Sequence, residues 1–298
     1  MQYSDPLTLD KVADPKATWL PLVIHSALAN SVEDISANIE SAISGGHTSF
    51  NELIGAKSGA VAIVGSGPSL KENWQQLRSF EGDIIACNAA CQFLLGKGIT
   101  PKYMMCFDAD NLALEFFTPH PDITYLLASR CPPKAFEILK GCSIVCWHAA
   151  GDERMEELLQ KNNLMNEPMV LGGSAAVVRA MILAMPMGYK KIHIYGADSS
   201  FAKGDTHIRK STTTERIMAI LCAGRVFETA PWMAKQAEDF KALIKTMSVL
   251  TDIEFIVHGD GLIPHIAMMM GLKTDLENSF SRFLREWRSK ARTLWQYV

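Results

Sequence analysis

Asp198 and His207 have the residue types and spacing of an acid–base pair. Gly196-Ala-Asp198 closes an apolar run beginning at Lys191, and His207 follows nine residues later in Gly204-Asp-Thr-His207. Histidine titrates nearest neutral pH, so His207 is the natural general base. A solvated loop histidine is the competing reading. A second acidic pair, Asp108-Ala-Asp110, ends the run Tyr103-Met-Met-Cys-Phe107. Carboxylates at a strand end can hold Mg²⁺ or Mn²⁺, which favour oxygen ligands and phosphate partners. Asp108, Asp110 and Asp198 are therefore the expected metal ligands, with helix capping as the alternative role.

The anion-binding candidates lie upstream. The β-branched run Val61–Val64 reads as a buried strand and stops at Gly65-Ser66-Gly67-Pro68-Ser69, with polar helical sequence from Lys71. Two glycines let backbone approach a ligand closely, and the N–H groups of a helix start attract anionic oxygens. Pro68 suits a first helical turn and Ser69 can cap the helix or contact a phosphate. This is no P-loop, because Gly67 is followed by Pro68-Ser69 and not by Lys-Ser/Thr. Nor is it the dinucleotide fingerprint, because Leu70 stands at the third glycine and the second strand ends in Asn88, with no carboxylate for a ribose diol. An amide suits a base or a sugar hydroxyl. Gly172-Gly173-Ser174 opens a second apolar helix and offers another cradle, with Ser174 as a plain N-cap the competing reading. His148, at the end of another apolar run, is at best a neighbour of the site.

These residues need a scaffold that gathers strand ends. Strand candidates at 60–65, 83–87, 103–107, 123–128, 143–148, 191–196 and 253–258 alternate with helix candidates at 70–79, 89–97, 134–140, 152–162, 174–187 and 232–249. That rhythm predicts an α/β, doubly wound, mostly parallel sheet, whose ligands bind at the carboxyl ends of the strands. Residues 1–55 read as an N-terminal appendage with an amphipathic helix in 31–54 broken at Gly45-Gly46, and 56–272 as the core. Residues 273–298 read as an amphipathic C-terminal helix. Phe280, Phe283, Leu284, Trp287, Leu294, Trp295 and Val298 share one face, and Arg282, Arg285, Arg288, Lys290 and Arg292 the other. Docking on its own core, pairing with a second copy as a homo-oligomer, and lying on an anionic membrane surface compete for this helix; burial against protein is favoured.

The chain has 298 residues, 48% hydrophobic and 20% charged, with a net charge of −3. That charge disfavours nucleic acid as a partner. No run approaches the length of a membrane span, and the N-terminus lacks a basic-then-apolar signal. Seven cysteines form no Cys-x-x-Cys pair, which favours buried, reduced thiols and a cytoplasmic setting.

Taken together, Gly65–Leu70, Asn88, Ile99-Thr-Pro-Lys with Asp108, Gly172-Gly-Ser174, Gly196-x-Asp198, Thr206-His207 and Glu228-Thr-Ala-Pro resemble the MptE-like family over about residues 58–270. That family joins 6-hydroxymethylpterin diphosphokinases to bacterial motility-associated glycosyltransferases, and it is similar to bacterial sialyltransferases that use CMP-sialic acid. The resemblance implies a Rossmann-like nucleotide fold. It places the nucleotide phosphates on Gly65–Leu70, with Asn88 and Ser174 near base, ribose or donor sugar. The chain departs from the sialyltransferases in carrying Asp108 where they carry Asn, and in the shorter spacing from Asp198 to His207. The implied function is a nucleotide-dependent transferase, with a CMP-linked nonulosonic sugar as donor and a glycan as acceptor. An ATP- and Mg²⁺-dependent diphosphokinase acting on a pterin, and a non-enzymatic nucleotide-binding module, are the alternatives.

Overall fold

The computed structural model describes residues 2–3, 11–12, 22–23, 30–151, 154–202 and 217–276. His207 and residues 277–298 of the helix expected over 273–298 lie outside the described residues, while Lys273–Thr274, expected to open that helix, is a strand. Three two-residue strands come first: β1 (Gln2–Tyr3), β2 (Lys11–Val12) and β3 (Leu22–Val23). The helical part of the N-terminal region is α1 (Val32–Ser44), capped by Ser31 and ended at Gly45, followed by β4 (Thr48–Ser49). Then come β5 (Ala60–Val64), α2 (Leu70–Asn73), β6 (Asp83–Cys87), α3 (Ala89–Leu95) and β7 (Tyr103–Cys106). They are followed by β8 (Thr124–Ala128), α4 (Pro133–Ile138), β9 (Ser143–Ala149), α5 (Met155–Lys161) and β10 (Met169–Val170). The last group is α6 (Ala176–Met187), β11 (Lys191–Tyr195), β12 (Met218–Cys222), β13 (Arg225–Thr229), α7 (Pro231–Leu250), β14 (Glu254–Val257), α8 (Leu262–Met269) and β15 (Lys273–Thr274).

The main sheet runs β10-β9-β8-β7-β6-β5-β11-β14-β15, with β4 also on β9, and every pairing in it is parallel. The chain winds outward from β5 through β9, then returns to place β11 on the other side of β5. This reversal is the crevice where open α/β sheets bind ligands. The central strands are apolar on both faces: Val61, Ile63, Ile85, Met104, Tyr125, Trp147, Ile192 and Ile194 are fully buried or nearly so, as a sheet covered by helices requires.

The appendage helix α1 is part of this packing. Ile35 and Ile39 are buried with Ala109, Met155, Leu158 and Leu159, and the Asn38 amide donates to Ala109 O and Arg130 O. Expected helix 70–79 is α-helical only to Asn73, and Trp74–Ser79 tightens into a 3₁₀ turn. The hairpin β12–β13 was not foreseen. Its two-residue turn, Ala223-Gly224, has positive φ at both positions, the geometry that matches strand twist but is usually signalled by Asn-Gly.

Beside the crevice, β11, β14 and β15 are tied by a polar chain. The two Asp275 carboxylate oxygens meet His258 Nδ1 (3.0 Å) and the Gly259 N–H (3.3 Å), and His258 Nε2 meets His193 Nδ1 (2.9 Å). The Tyr195 ring stacks on His258 at 4.0 Å. Six cysteines are buried, Cys142 is half-buried, and none is in a disulfide. Among the described residues no helix is long and apolar enough to cross a membrane.

Candidate functional site

Where β5 and β11 end, their loops cross at van der Waals distance. The Gly65 N–H donates to Tyr195 O and the Gly67 N–H to Gly196 O, each at 2.8 Å. A β-carbon on Gly65 would stand 2.5 Å from Gly196 O, and one on Gly196, whose φ is +60°, would overlap Gly65 O. The glycines are therefore required first by strand-end crossing. A cleft of about 550 Å³ opens above them, within the range of small-molecule sites.

Asp198 sits beneath this loop. It is 4% exposed, and its Oδ2 accepts the Ser69 N–H at 3.1 Å. Burial pushes its carboxyl up to about 6. The Ser69 N–H opposes that shift, and the charges of Asp260 and Glu72 add to it. The Asp198 carbonyl accepts the Ile263 N–H at 3.2 Å, and Gly261 has no room for a β-carbon against it. Asp198 thus joins the glycine loop, β11 and α8. The N–H groups of Gly65, Gly67 and Ser69 already have protein acceptors, so the loop itself offers an anion less than its composition suggests. Ser69 makes no side-chain cap. Pro68 opens the turn, its carbonyl accepting the Lys71 N–H at 3.1 Å.

The next strand end carries Asn88, with φ 50° and ψ −127°, a backbone region that side chains rarely occupy and that clusters at functional sites. Its Nδ2 donates to Asp108 Oδ2 at 2.9 Å, and its Oδ1 is buried without a partner among the described residues. Burial raises the Asp108 carboxyl, while the Asn88 amide and the Arg130 guanidinium pull it down. Both Asn88 and Asp108 line the cleft. Asp110 does not; its Oδ1 accepts the Leu112 N–H at 2.8 Å and caps the 3₁₀ turn Asn111–Phe116. The three expected metal ligands thus have separate partners, and among the described residues no three His, Cys, Asp or Glu side chains form a metal-ligating group. Asp108 and Asp198 nevertheless both line the cleft.

The start of α6 forms another wall and packs on the loop, since a β-carbon on Gly65 would stand 2.6 Å from Val177 Cγ2. Ala175 is its N-cap without a side-chain hydrogen bond, and Ala175 to Val178 line the cleft. Ser174 is not the cap. Its N–H and Oγ–H both donate to Asp239 Oδ2, at 2.7 and 2.9 Å. Gly172, with φ +98°, and Gly173 make the turn that precedes it. His148 is buried against Ser129 Oγ at 3.0 Å, away from the cleft, and burial lowers its pKa.

A cleft wall that no sequence motif marks comes from α7. Trp232, Met233, Gln236 and Phe240 line the cleft, and Phe107 and Phe116 face it from the β7 side. The spacing 232, 233, 236, 240 marks one helix face, and Pro231 at the start of the helix was the available signal. Ser199, with φ 46°, meets Gln236 Oε1 through its hydroxyl at 3.4 Å.

The MAf glycosyltransferase of Magnetospirillum magneticum superposes with a TM-score of 0.60 at 16% identity, covering 79% of this chain and 38% of that enzyme. The chain therefore spans about two fifths of that enzyme's length. Looser likenesses are a mammalian sialyltransferase in complex with Gal-beta-1-3GalNAc-ortho-nitrophenol and the Campylobacter jejuni sialyltransferase CstII in complex with CMP-3FNeuAc. The former has a TM-score of 0.37 at 11% identity, covering 77% of this chain and 80% of that one. The latter has 0.33 at 15%, covering 72% and 85%. No curated protein sequence matches the chain. The sequence model of the family described as 6-hydroxymethylpterin diphosphokinase MptE-like matches residues 33–204, more than half of the chain. The chain belongs to the MptE-like family.

Proposed function

We propose that the chain is a nucleotide-dependent glycosyltransferase, moving a nonulosonic-acid-type sugar from a CMP donor to a glycan hydroxyl. The observation that carries the reading is the joint placement of three surfaces around one cleft at the β5/β11 reversal. These are the uncapped start of α6, the Asn88–Asp108 pair, and the aromatic groups Phe107, Phe116 and Trp232. A helix start favours phosphate. Asn88 Oδ1 and Asp108 accept hydrogen bonds, which suits an amino or hydroxyl group. Flat rings suit a base. A nucleotide sugar presents all three.

In this reading the bond between the anomeric carbon and the donor phosphate breaks, and its electron pair leaves with CMP. Fixed dipoles at the start of α6 stabilise the departing charge without reorganising. The acceptor oxygen attacks the anomeric carbon and gives its proton to a base, the role assigned to His207 from the sequence. Asp198 would keep Gly65–Leu70 in register with β11. The expected partners are the CMP-linked donor and a glycan. Association through residues 273–298, with a second copy or an anionic membrane surface, is a further proposal.

The competing reading, pyrophosphoryl transfer from ATP to a pterin, needs Mg²⁺ to neutralise phosphate charge, and the separate partners of Asp108, Asp110 and Asp198 favour it less. A donor-hydrolysis assay tests the choice. Purified protein is incubated with a CMP-linked nonulosonic acid and with ATP plus a hydroxymethylpterin, with and without Mg²⁺. Release of CMP above the blank supports sugar transfer. AMP formed only with pterin and Mg²⁺ overturns it.

A further inference from the structure

Two loops shape the cleft, and α7 grips both. At one end Gln236 meets the Ser199 hydroxyl. One turn further on, Asp239 takes both donors of Ser174 through a single oxygen, while its other oxygen accepts from Lys235 Nζ. Asp239 is 11% exposed and Lys235 20%. The Gly172-Gly173-Ser174 turn is enclosed from the other side as well. Arg179, in the first turn of α6, donates through Nε to Gly173 O at 3.0 Å and through Nη1 to Val170 O. A β-carbon on Gly173 would press on Val178 Cγ1 at 2.9 Å and on Asp239 Cβ at 3.1 Å.

The charges in this arrangement are informative. A lone carboxylate beside a helix start would compete with any anionic ligand for the positive end of the dipole. Here Lys235 neutralises that carboxylate. Asp239 also spends its hydrogen-bonding capacity on Ser174, ahead of the helix, and the N-cap Ala175 is left without a side-chain cap at the cleft wall. The turn is held by these hydrogen bonds, and the N-cap position of α6 carries no capping side chain.

We propose that Asp239, paired with Lys235, is a positioning residue. It fixes the Gly172–Ser174 turn and so presents the α6 start to an anionic ligand, while Lys235 keeps its charge from repelling that ligand. This rests on the proposed reading of the cleft as a nucleotide site, and the test separates the two.

Amide hydrogen exchange at Ser174 and Arg179 reads the turn without any ligand, and calorimetric titration with CMP reads the anion site. Asp239→Ala should accelerate exchange at both amides and weaken CMP binding about tenfold, as expected for losing hydrogen bonds to a charged group. Lys235→Met should keep exchange slow yet weaken CMP binding, more so at low salt, because the carboxylate is now uncompensated. The double variant Lys235→Met/Asp239→Asn replaces the ion pair by a neutral acceptor. It should keep the turn protected and bind CMP more tightly than Lys235→Met alone, a recovery that a merely structural ion pair would not give. Wild-type exchange in Asp239→Ala, or CMP affinity in Lys235→Met equal to wild type at low salt, overturns the proposal. If the wild-type protein binds no CMP, the nucleotide reading fails. The positioning role is then judged by exchange alone: acceleration in Asp239→Ala supports it and its absence overturns it.

Discussion

The Asp198 carboxylate accepts the Ser69 N–H at 3.1 Å from directly beneath Gly67, in space that a β-carbon on Gly67 would need. This makes the glycine loop a structural joint as well as a wall of the cleft. Gly67→Ala should destabilise the fold by about 2–3 kcal/mol, the size of an overpacking defect. A urea denaturation midpoint checks this. Wild-type stability combined with lost nucleotide binding would assign the glycine to the ligand alone.

Removing the buried charge tests the same joint from the other side. The folded-state pKa of Asp198, about 6, lies above the ordinary 3.8. The folded chain therefore holds this proton more tightly than the unfolded chain. That contribution is fully present below pH 3.8 and is lost as pH rises through 6. Asp198→Asn keeps an acceptor for Ser69 without the charge. At pH 7.5 it should be more stable than wild type by on the order of 1–3 kcal/mol, and the advantage should vanish near pH 4. Denaturation across that range reads it. A variant less stable than wild type at pH 7.5 contradicts the argument.

His193 should act with the opposite sign. Burial, followed by the charges of His258 and Lys191, lowers its pKa to about 4, against the pull of Glu254 and Asp275. The folded chain binds this proton less tightly, so the contribution is present above pH 6.5 and is lost as pH falls toward 4. His193→Gln should flatten the low-pH loss of stability. A thermal melt series from pH 4 to pH 7.5 shows it, and an unchanged slope would place the acid sensitivity elsewhere.

Asn88 pairs backbone strain with an amide oxygen that has no partner among the described residues. Asn88→Gly relieves the strain and removes the amide. Melting should rise, by about 1 kcal/mol in stability, while CMP affinity should fall about tenfold, as for one lost hydrogen bond of about 1.4 kcal/mol. Equal affinity would detach Asn88 from ligand binding.

The scaffold was legible because parallel strands buried on both faces are written as short apolar runs. All seven expected strands are present, and the β5 to Ser69 transition lies where Gly65-Ser-Gly-Pro indicates. The partners were not legible. Ser174 reads as an N-cap, yet its donors belong to Asp239, 65 residues away in sequence. Asp108, Asp110 and Asp198 share a composition that suggests metal, and only their contacts, to Asn88, Leu112 and Ser69, separate them. The wall from α7 was missed because amphipathic spacing shows that a face is covered but not what covers it.

The proposed function requires the cleft between β5 and β11 to bind a cytidine nucleotide with its phosphate at the start of α6. Isothermal titration of the protein with CMP, cytidine and ATP, with and without Mg²⁺, tests it most directly. CMP should bind at least about tenfold more tightly than cytidine, a phosphate contribution of about 1.4 kcal/mol or more, and more tightly than ATP whether or not Mg²⁺ is present. Preference for ATP with strict dependence on Mg²⁺, or equal binding of CMP and cytidine, would contradict it.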